Sequence, residues 1–545
     1  MKSLINPAKV VRSFVALAAA GALSTTAGAQ CTINLGANQQ LIDGYGFSSA
    51  WCGQLSSAKN NSLYGTLGFS LLRIRIDPNR GWTDETVNAA NAHAAGAKVL
   101  GTPWSPPASM KDNNNVVHGS LLPSQYGAYA TYLNQAATSI GLDYVSIQNE
   151  PDWNPDYEGC VWTGTQLETF SANNAQAIGK PVVMPEAVNF NDSMSDPTLN
   201  DATAASHVSF IAGHFYGGGN VVHQNALNHG KHVWETEHYL TGGQSDINVC
   251  LQLAKEVNDA MNNQFSAYFW WWVNDSQTDG TDLVNNNGTI IKPGYILGQF
   301  AKWIRPGATR VTSTYNPSSN VYVTAYNSGG NLVIVAVNTG TGSVNQQFVI
   351  QNGSVATLEG FRTSSSQNMA DVGGSTVSGG SFTASLPAQS VTTFVQTGST
   401  GGLANGTYKL VARHSGKALD ASGNATTNGT QIIQWTYGGG NNQRWTVTSL
   451  GGGLYKIIGV QSGKSIDISN WGTANGTKVQ LWDYLAGTNQ KFFFNATSGG
   501  YYEISPSHAT GSCLDVSGAS TADGALVQLW QYLSGNNQQW SPQAP

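Results

Sequence analysis

The 545-residue chain carries 25 Lys+Arg against 31 Asp+Glu, a formal net charge of −6, and charged residues are only 10% of it. No Lys/Arg run occurs beyond the first dozen residues, which excludes nucleic acid as a partner, because phosphate binding needs a basic footprint. With 63 Gly, 16 Trp and 21 Tyr the chain is loop-rich and aromatic-rich, a profile suited to neutral polymers, and its length predicts roughly two to four domains.

The N-terminus places Lys2, Lys9 and Arg12 before an apolar stretch from Phe14 to Leu23, followed by Ala27-Gly28-Ala29. This pattern predicts a secretory signal peptide over residues 1–29 and an extracellular protein. No other segment has the length and apolarity to span a bilayer, so no membrane partner is expected. Residues 30–43 are expected to join a side β-domain further on. Export would permit disulfides among Cys31, Cys52, Cys160 and Cys250, with the pairing open, whereas Cys513 stands alone as a buried thiol. No cysteine shows metal-ligand spacing.

From 44 to 303, strand-like runs alternate with helix-like stretches. The strands are a short one near Tyr45–Phe47, then 70–77, 97–104, 143–150, 181–187, 210–217, 231–238 and 266–273. Between them lie helical candidates Thr83–Ala95, Ser124–Ser139, Gln166–Ile178 and Val249–Asn262. Eight strands with crossover helices predict a closed (β/α)₈ TIM barrel with its site at the C-terminal strand ends. From 304 to 397 the period shifts to two, in runs such as NVYVTAYN and NLVIVAVN, which predicts an antiparallel β-sandwich. Residues 398–404 (GSTGGLA) read as a linker.

Residues 405–545 contain a threefold repeat. Asp420, Trp435, Tyr437 and Asn442-Gln443-Arg444-Trp445 recur as Asp467, Trp482, Tyr484 and Asn489-Gln490-Lys491-Phe492. They recur again as Asp515, Trp530, Tyr532 and Asn537-Gln538-Gln539-Trp540. Units of this length cannot each bury a core, so three are expected to pack about a pseudo-threefold axis.

Two runs carry chemistry. SIQNEPDW places Glu150 after one strand and HVWETEHY places Glu237 at the end of another. On parallel strands of one barrel both carboxylates reach the same mouth, and facing carboxylates are the machinery of glycosidic-bond hydrolysis. Alternation is taken to send Glu235 away, toward the helix layer. Glu186 also ends a strand, and a sugar-positioning or structural role is expected for it. His214 and His238 are expected as hydrogen-bonding neighbours. Arg73 is expected to orient the nucleophile and lower its pKa, and Asn149 to bond a sugar hydroxyl. Of Trp270-Trp271-Trp272, at least one ring should face the pocket.

GYGFSSAWCG, LGFSLLRIRID, GTPWSPPASM, VSIQNEPDW, HFYG, WETEHY, AYFWWW and FAKWIRPG, in this order, resemble glycoside hydrolase family 30, the xylanase branch (subfamily 8). The later LVIVAVN, TSSSQNM and LPAQSVTTF resemble that family's attached β-sandwich, so the likeness covers residues 31 to 397. It implies a retaining endo-β-1,4-xylanase without a metal or organic cofactor, Glu150 as acid/base and Glu237 as nucleophile. Trp104, Asn149, Tyr216 and Trp270 or Trp271 would line the site. Glucuronoxylan-dependent members carry an arginine after strand eight that grips the glucuronic acid branch. Here that stretch, VNDSQTDGTDLVNNNGTIIKPGY (273–295), has no arginine; it holds Asp275, Asp279 and Asp282, and Lys292 falls at the start of the next helix. Independence from 4-O-methylglucuronic acid branches is therefore expected. The alternatives are a glucuronoxylan-specific enzyme, a β-1,6-glucanase or galactanase of the same family, and a non-catalytic polysaccharide-binding protein. The C-terminal repeat resembles the ricin-type β-trefoil, carbohydrate-binding module family 13. That resemblance implies binding of plant cell-wall polysaccharide through Asp420/Tyr437/Asn442, Asp467/Tyr484/Asn489 and Asp515/Tyr532/Asn537, with the Gln-x-Trp elements as core.

Overall fold

The computed structural model describes residues 26–27, 29–240, 246–273, 282–396, 403, 405–451, 454–497 and 501–545. The predicted leader lies outside these residues except for Thr26–Ala27 and Ala29, and Asp275 and Asp279 also lie outside them.

Eight parallel strands close a barrel. They are β1 (Gly44–Ser48), β2 (Leu71–Arg75), β3 (Lys98–Thr102), β4 (Tyr144–Ser146), β5 (Val182–Ala187), β6 (Phe210–His214), β7 (His232–His238) and β8 (Phe265–Trp270), with β8 pairing back onto β1. Alternation sorts their side chains: Leu71 and Arg73 of β2 point inward, and Leu72 and Ile74 join the outer core against the helices. Leu71, Leu100, Val183, Ala212, Trp234, Ala267 and Phe269 plug the interior, so the barrel is packed below its mouth and open only above it. The crossover helices bury one stripe each. In α1 (Tyr126–Ile140) the buried positions Tyr126, Tyr129, Ala130, Leu133, Ala136, Ala137 and Ile140 follow the i, i+3, i+4 spacing. The helix stops at Gly141, which takes the left-handed conformation (φ 86°) that its C-terminus requires. A capping box of Thr163 and Gln166 starts α2 (Gly164–Asn173), and Asp246 caps α3 (Ile247–Asn262).

The β-sandwich uses strands from both ends of the barrel sequence. Cys31–Leu41 pairs antiparallel with Thr309–Ser313 and parallel with Val344–Gln351. Its Tyr326, Val333, Val335, Val337 and Val391 belong to the barrel's outer core, so the two units share apolar packing. The C-terminal repeats form a β-trefoil with a separate core in which Trp445, Phe492 and Trp540 are fully buried. All five cysteines are unbridged, against the expectation of disulfides: Cys31 is in the sandwich core, Cys160 and Cys250 are in the barrel core, and Cys52 is half-buried. Cys513 is a buried thiol, as its isolation in the sequence suggested.

Candidate active site

Glu150 lies four residues beyond β4, at the mouth of the barrel. Backbone bonds fix the descent to it: Asn149 N–H donates to Pro103 O at 2.9 Å and Glu150 N–H to Glu186 O at 3.0 Å. Trp51, Glu150 and Glu186 hold left-handed backbones at φ 59°, 45° and 57°. Non-glycine residues there cost on the order of 1–3 kcal/mol each, which the surrounding packing must supply.

Glu237 reaches the mouth by a different device. Residues two apart on a regular strand share a face, so strict alternation would put Glu235 and Glu237 on the same side. A β-bulge intervenes: Gly213 pairs with Glu235 and His214 with Glu237, leaving Thr236 as the extra residue. Glu235 then faces the helix layer, as expected though for another reason. Its register neighbour Tyr268 hydrogen-bonds Glu256 on α3, and its own carboxylate accepts from the Phe269 N–H at 2.9 Å.

One carboxylate oxygen each of Glu150 and Glu237, with a ring nitrogen of His214, lie within 4.8 Å of one another, and all three residues are buried. Arg73 organises this group from beneath. Its Nη1 donates to Glu237 Oε2 at 2.6 Å, its Nε to Glu186 Oε1 at 3.1 Å and its Nη2 to Asn149 Oδ1 at 2.6 Å. The guanidinium also lies 4.6 Å from the Trp104 ring centroid. Burial alone would lower the Arg73 pKa; Glu186 and Glu237 outweigh it and hold it above its ordinary value. Burial pushes the Glu237 carboxyl up. His214 and Arg73 pull it down, Glu150 adds to the rise, and the Tyr216 hydroxyl, donating to Oε1 at 2.9 Å, pulls it down again. Glu150 is flanked by His214 Nδ1 at 3.2 Å and the Tyr157 hydroxyl at 3.3 Å. Two carboxylates and an imidazole are donors a cation can use, but the guanidinium 2.6 Å from Glu237 already occupies one and opposes a second positive charge.

The cleft above the pair has a volume of about 540 Å³ and is lined by Trp51, Trp104, Trp153, Tyr157, Tyr216, Tyr239, Trp271 and Trp272 around Glu150, Glu237 and Val188. Among the residues expected at substrate, Trp104, Tyr216 and Trp271 are in this lining. Trp270 is not: it is buried in the barrel's outer core, because the chain leaves β8 there and only the next two rings turn to the mouth. Arg73 and Asn149 also lie outside the lining; Arg73 is fully buried and donates to Glu237, Glu186 and Asn149, so it holds the Glu237 carboxylate in place from below the cleft. Glu186 serves Arg73, and His238 serves Glu256 at 2.7 Å. Trp51, Trp153, Tyr157 and Tyr239 were missed, and Trp272 was expected only as one member of the Trp270-Trp271-Trp272 run. Trp51 and Tyr239 stand within three positions of a strand end, where an aromatic residue is a sequence signal; Trp153 and Tyr157 lie seven and eleven residues past β4 and carry none.

In the trefoil, Asn442, Asn489 and Asn537 each donate to the aspartate of their repeat, Asp420, Asp467 and Asp515, at 2.9, 2.8 and 2.8 Å. Two of the three tyrosines need correction. Trp435 and Trp530, not Tyr437 and Tyr532, line the cavities beside Asp420 and Asp515. Beyond the strand the chain turns, and Lys409 lies 4.6 Å over the Tyr437 ring and Lys456 5.3 Å over the Tyr484 ring. Trp482 holds the matching place in the middle repeat and is 37% exposed.

A buried carboxylate pair at the mouth of a parallel barrel, under an aromatic cleft and alongside a lectin-type trefoil, defines a glycoside hydrolase. The chain belongs to glycoside hydrolase family 30. It is 37% identical over 404 residues to glucuronoxylanase XynC of Bacillus subtilis (strain 168), covering 69% of this chain and 93% of the relative. A family 30 subfamily 8 xylanase, Xyn30A, from Clostridium acetobutylicum is 44% identical, over 67% of this chain and 99% of its own, with a TM-score of 0.65. A family 30 endoxylanase from Clostridium papyrosolvens C71 is 41% identical over the same shares, with a TM-score of 0.63. The family model described as glycosyl hydrolase family 59 matches residues 69–291, and the ricin-type beta-trefoil lectin domain-like model matches 393–482 and 488–544.

Proposed function

We propose that this protein is a retaining endo-β-1,4-xylanase that does not depend on 4-O-methylglucuronic acid branches. The observation that carries the reading is the facing carboxylate pair at the barrel mouth, with the nearest oxygens of Glu150 and Glu237 within 4.8 Å, an approach that favours the closer of the two spacings such enzymes use. Retaining enzymes hold their carboxyl groups roughly 5–5.5 Å apart, whereas inverting ones leave room for a water at roughly 6.5–9.5 Å. Glu237, held by Arg73 and Tyr216, attacks the anomeric carbon; the glycosidic bond breaks and the leaving oxygen takes the proton from Glu150. Glu150, now a base, takes a proton from water, the water oxygen attacks the same carbon, and Glu237 leaves. NMR of the first product from a xylooligosaccharide should show the β-anomer, and an α-anomer would overturn the assignment.

Two observations support independence from the acidic branch. The stretch 273–295 contains no arginine, and Lys292 is committed elsewhere, its Nζ donating to Ser364 O at 2.7 Å and to Asn368 Oδ1 at 2.5 Å in the β-sandwich. The second reading, a glucuronoxylan-specific enzyme, is favoured by the relative of that name. Turnover on linear xylooligosaccharides, glucuronoxylan and arabinoxylan separates the two: products always branched at one fixed position would establish the second. We further propose export, supported by the leader pattern of residues 1–29, and delivery to cell-wall xylan by the trefoil. N-terminal sequencing of the exported protein tests the leader.

A further inference from the structure

The three trefoil repeats share a frame but not a pocket. In each, the glutamine of the Gln-x-Trp element accepts a backbone N–H at 2.7 Å, from Gly438, Leu485 and Leu533 respectively. The second and third repeats therefore place a leucine at the rim, where it projects 68% and 66% exposed, and the first has only a hydrogen atom there. The cavity at the first repeat is about 650 Å³ and that at the third about 370 Å³. A second difference lies at the floor. Gln480 and Gln528 donate to Oδ1 of Asp467 and Asp515 at 3.0 and 3.1 Å, but Ile433 stands at that position in the first repeat and has nothing to donate. Asp420 thus faces a wide cavity with one amide fewer to balance its charge, next to Trp435, 45% exposed.

We propose that the first-repeat pocket takes a xylosyl unit bearing a neutral sugar side group, such as an arabinosyl branch, whereas the third-repeat pocket, walled by Leu533, takes only an unsubstituted unit. Gly438 sets the selectivity. The width admits the side group, the Trp435 face stacks a sugar ring, and the less-balanced carboxylate accepts hydroxyl donors while opposing an acidic branch. The proposal rests on the reading of the trefoil as a sugar-binding module.

The test uses the full chain made inactive by Glu237→Gln, titrated with linear xylotriose and with xylotriose carrying one arabinosyl branch. Gly438→Leu copies the residue of the other repeats; Gly438 has an ordinary φ, and a Cβ there meets only Gln443 Oε1 at 3.9 Å, so the fold should accept it. It should weaken trefoil binding of the branched sugar by about tenfold and leave the linear sugar unchanged. Leu533→Gly in a Trp435→Ala background should restore branched binding at the third repeat. Equal effects of Gly438→Leu on both sugars, or no effect on either, overturn the proposal. Unchanged binding of both sugars after Trp435→Ala, Trp482→Ala and Trp530→Ala together would instead sink the underlying reading of the module.

Discussion

At the scale of single residues, Glu237 is set by three neighbours, His214, Arg73 and Tyr216, that oppose the effect of its burial. Tyr216 acts on it through a hydrogen bond to Oε1. A hydrogen bond to a charged group is worth about 1.5–3 kcal/mol, so Tyr216→Phe should lower kcat/KM roughly 10- to 100-fold. Because Tyr216 favours the ionised form of Glu237, its loss should also move the acid limb of the pH–rate profile to higher pH; an unmoved limb would deny it that role. Glu237→Ala should abolish hydrolysis and spare xylan binding through the trefoil, and retained hydrolysis would refute the assignment. Behind the Trp51 loop, burial lifts Glu85 to about 7 although Asn88 and Ser49 donate to it. A carboxyl raised in the folded state binds its proton more tightly there, so its contribution is full below the unfolded value and is lost as pH rises through about 7. Glu85→Gln should therefore gain stability over the parent between pH 5 and pH 8, by up to ~3 kcal/mol, in denaturant melts at the two pH values. A difference that does not change with pH would show Glu85 to be already ionised at pH 5.

Among elements, what the sequence disclosed depended on whether period or context placed a residue. The eight strands and four of the helices showed in the alternation of apolar runs, because the barrel interior and the helix stripes each impose one period. The carboxylate pair was legible from its position after those runs. The bulge that turns Glu237 inward was not, since it adds a residue without a sequence mark; nor was the burial of Trp270, which differs from Trp271 only by where the strand ends. Tyr437 and Trp435 are both aromatic and two apart, and only the turn between them decides which ring meets the cavity. The start of the helix Lys292–Ala301 offers a prediction at this scale. Lys292 ties the helix to the Ser364–Asn368 segment through several oxygens, so Lys292→Met should cost about 1–3 kcal/mol in a melt. It should leave the ratio of activities on glucuronoxylan and linear xylan unchanged; a fall confined to glucuronoxylan would make Lys292 the branch anchor.

Across the whole molecule, the core boundaries say which parts can be separated. The trefoil core contains trefoil residues alone, whereas Tyr326, Val333, Val335, Val337 and Val391 of the sandwich lie in the barrel's core. Deleting residues 398–545 should leave turnover of soluble xylooligosaccharides intact and weaken action on insoluble xylan; equal losses on both would rule out a targeting module. Ending the chain after residue 303 should give an unfolded or insoluble product, because it strips one side of the barrel's apolar packing.

The surplus residue at Thr236 has a consequence for how this strand can evolve. Upstream of it, β7 keeps phase with the packing of the barrel, with Trp234 inside and Glu235 out; downstream, the phase is reset so that Glu237 faces the cleft. The two halves of the strand thus run on separate clocks. Substitutions that repack Val233 or Trp234 leave the facing of Glu237 alone, while any change that restores regular pairing at Thr236 would turn Glu237 to the helices without altering either carboxylate of the pair.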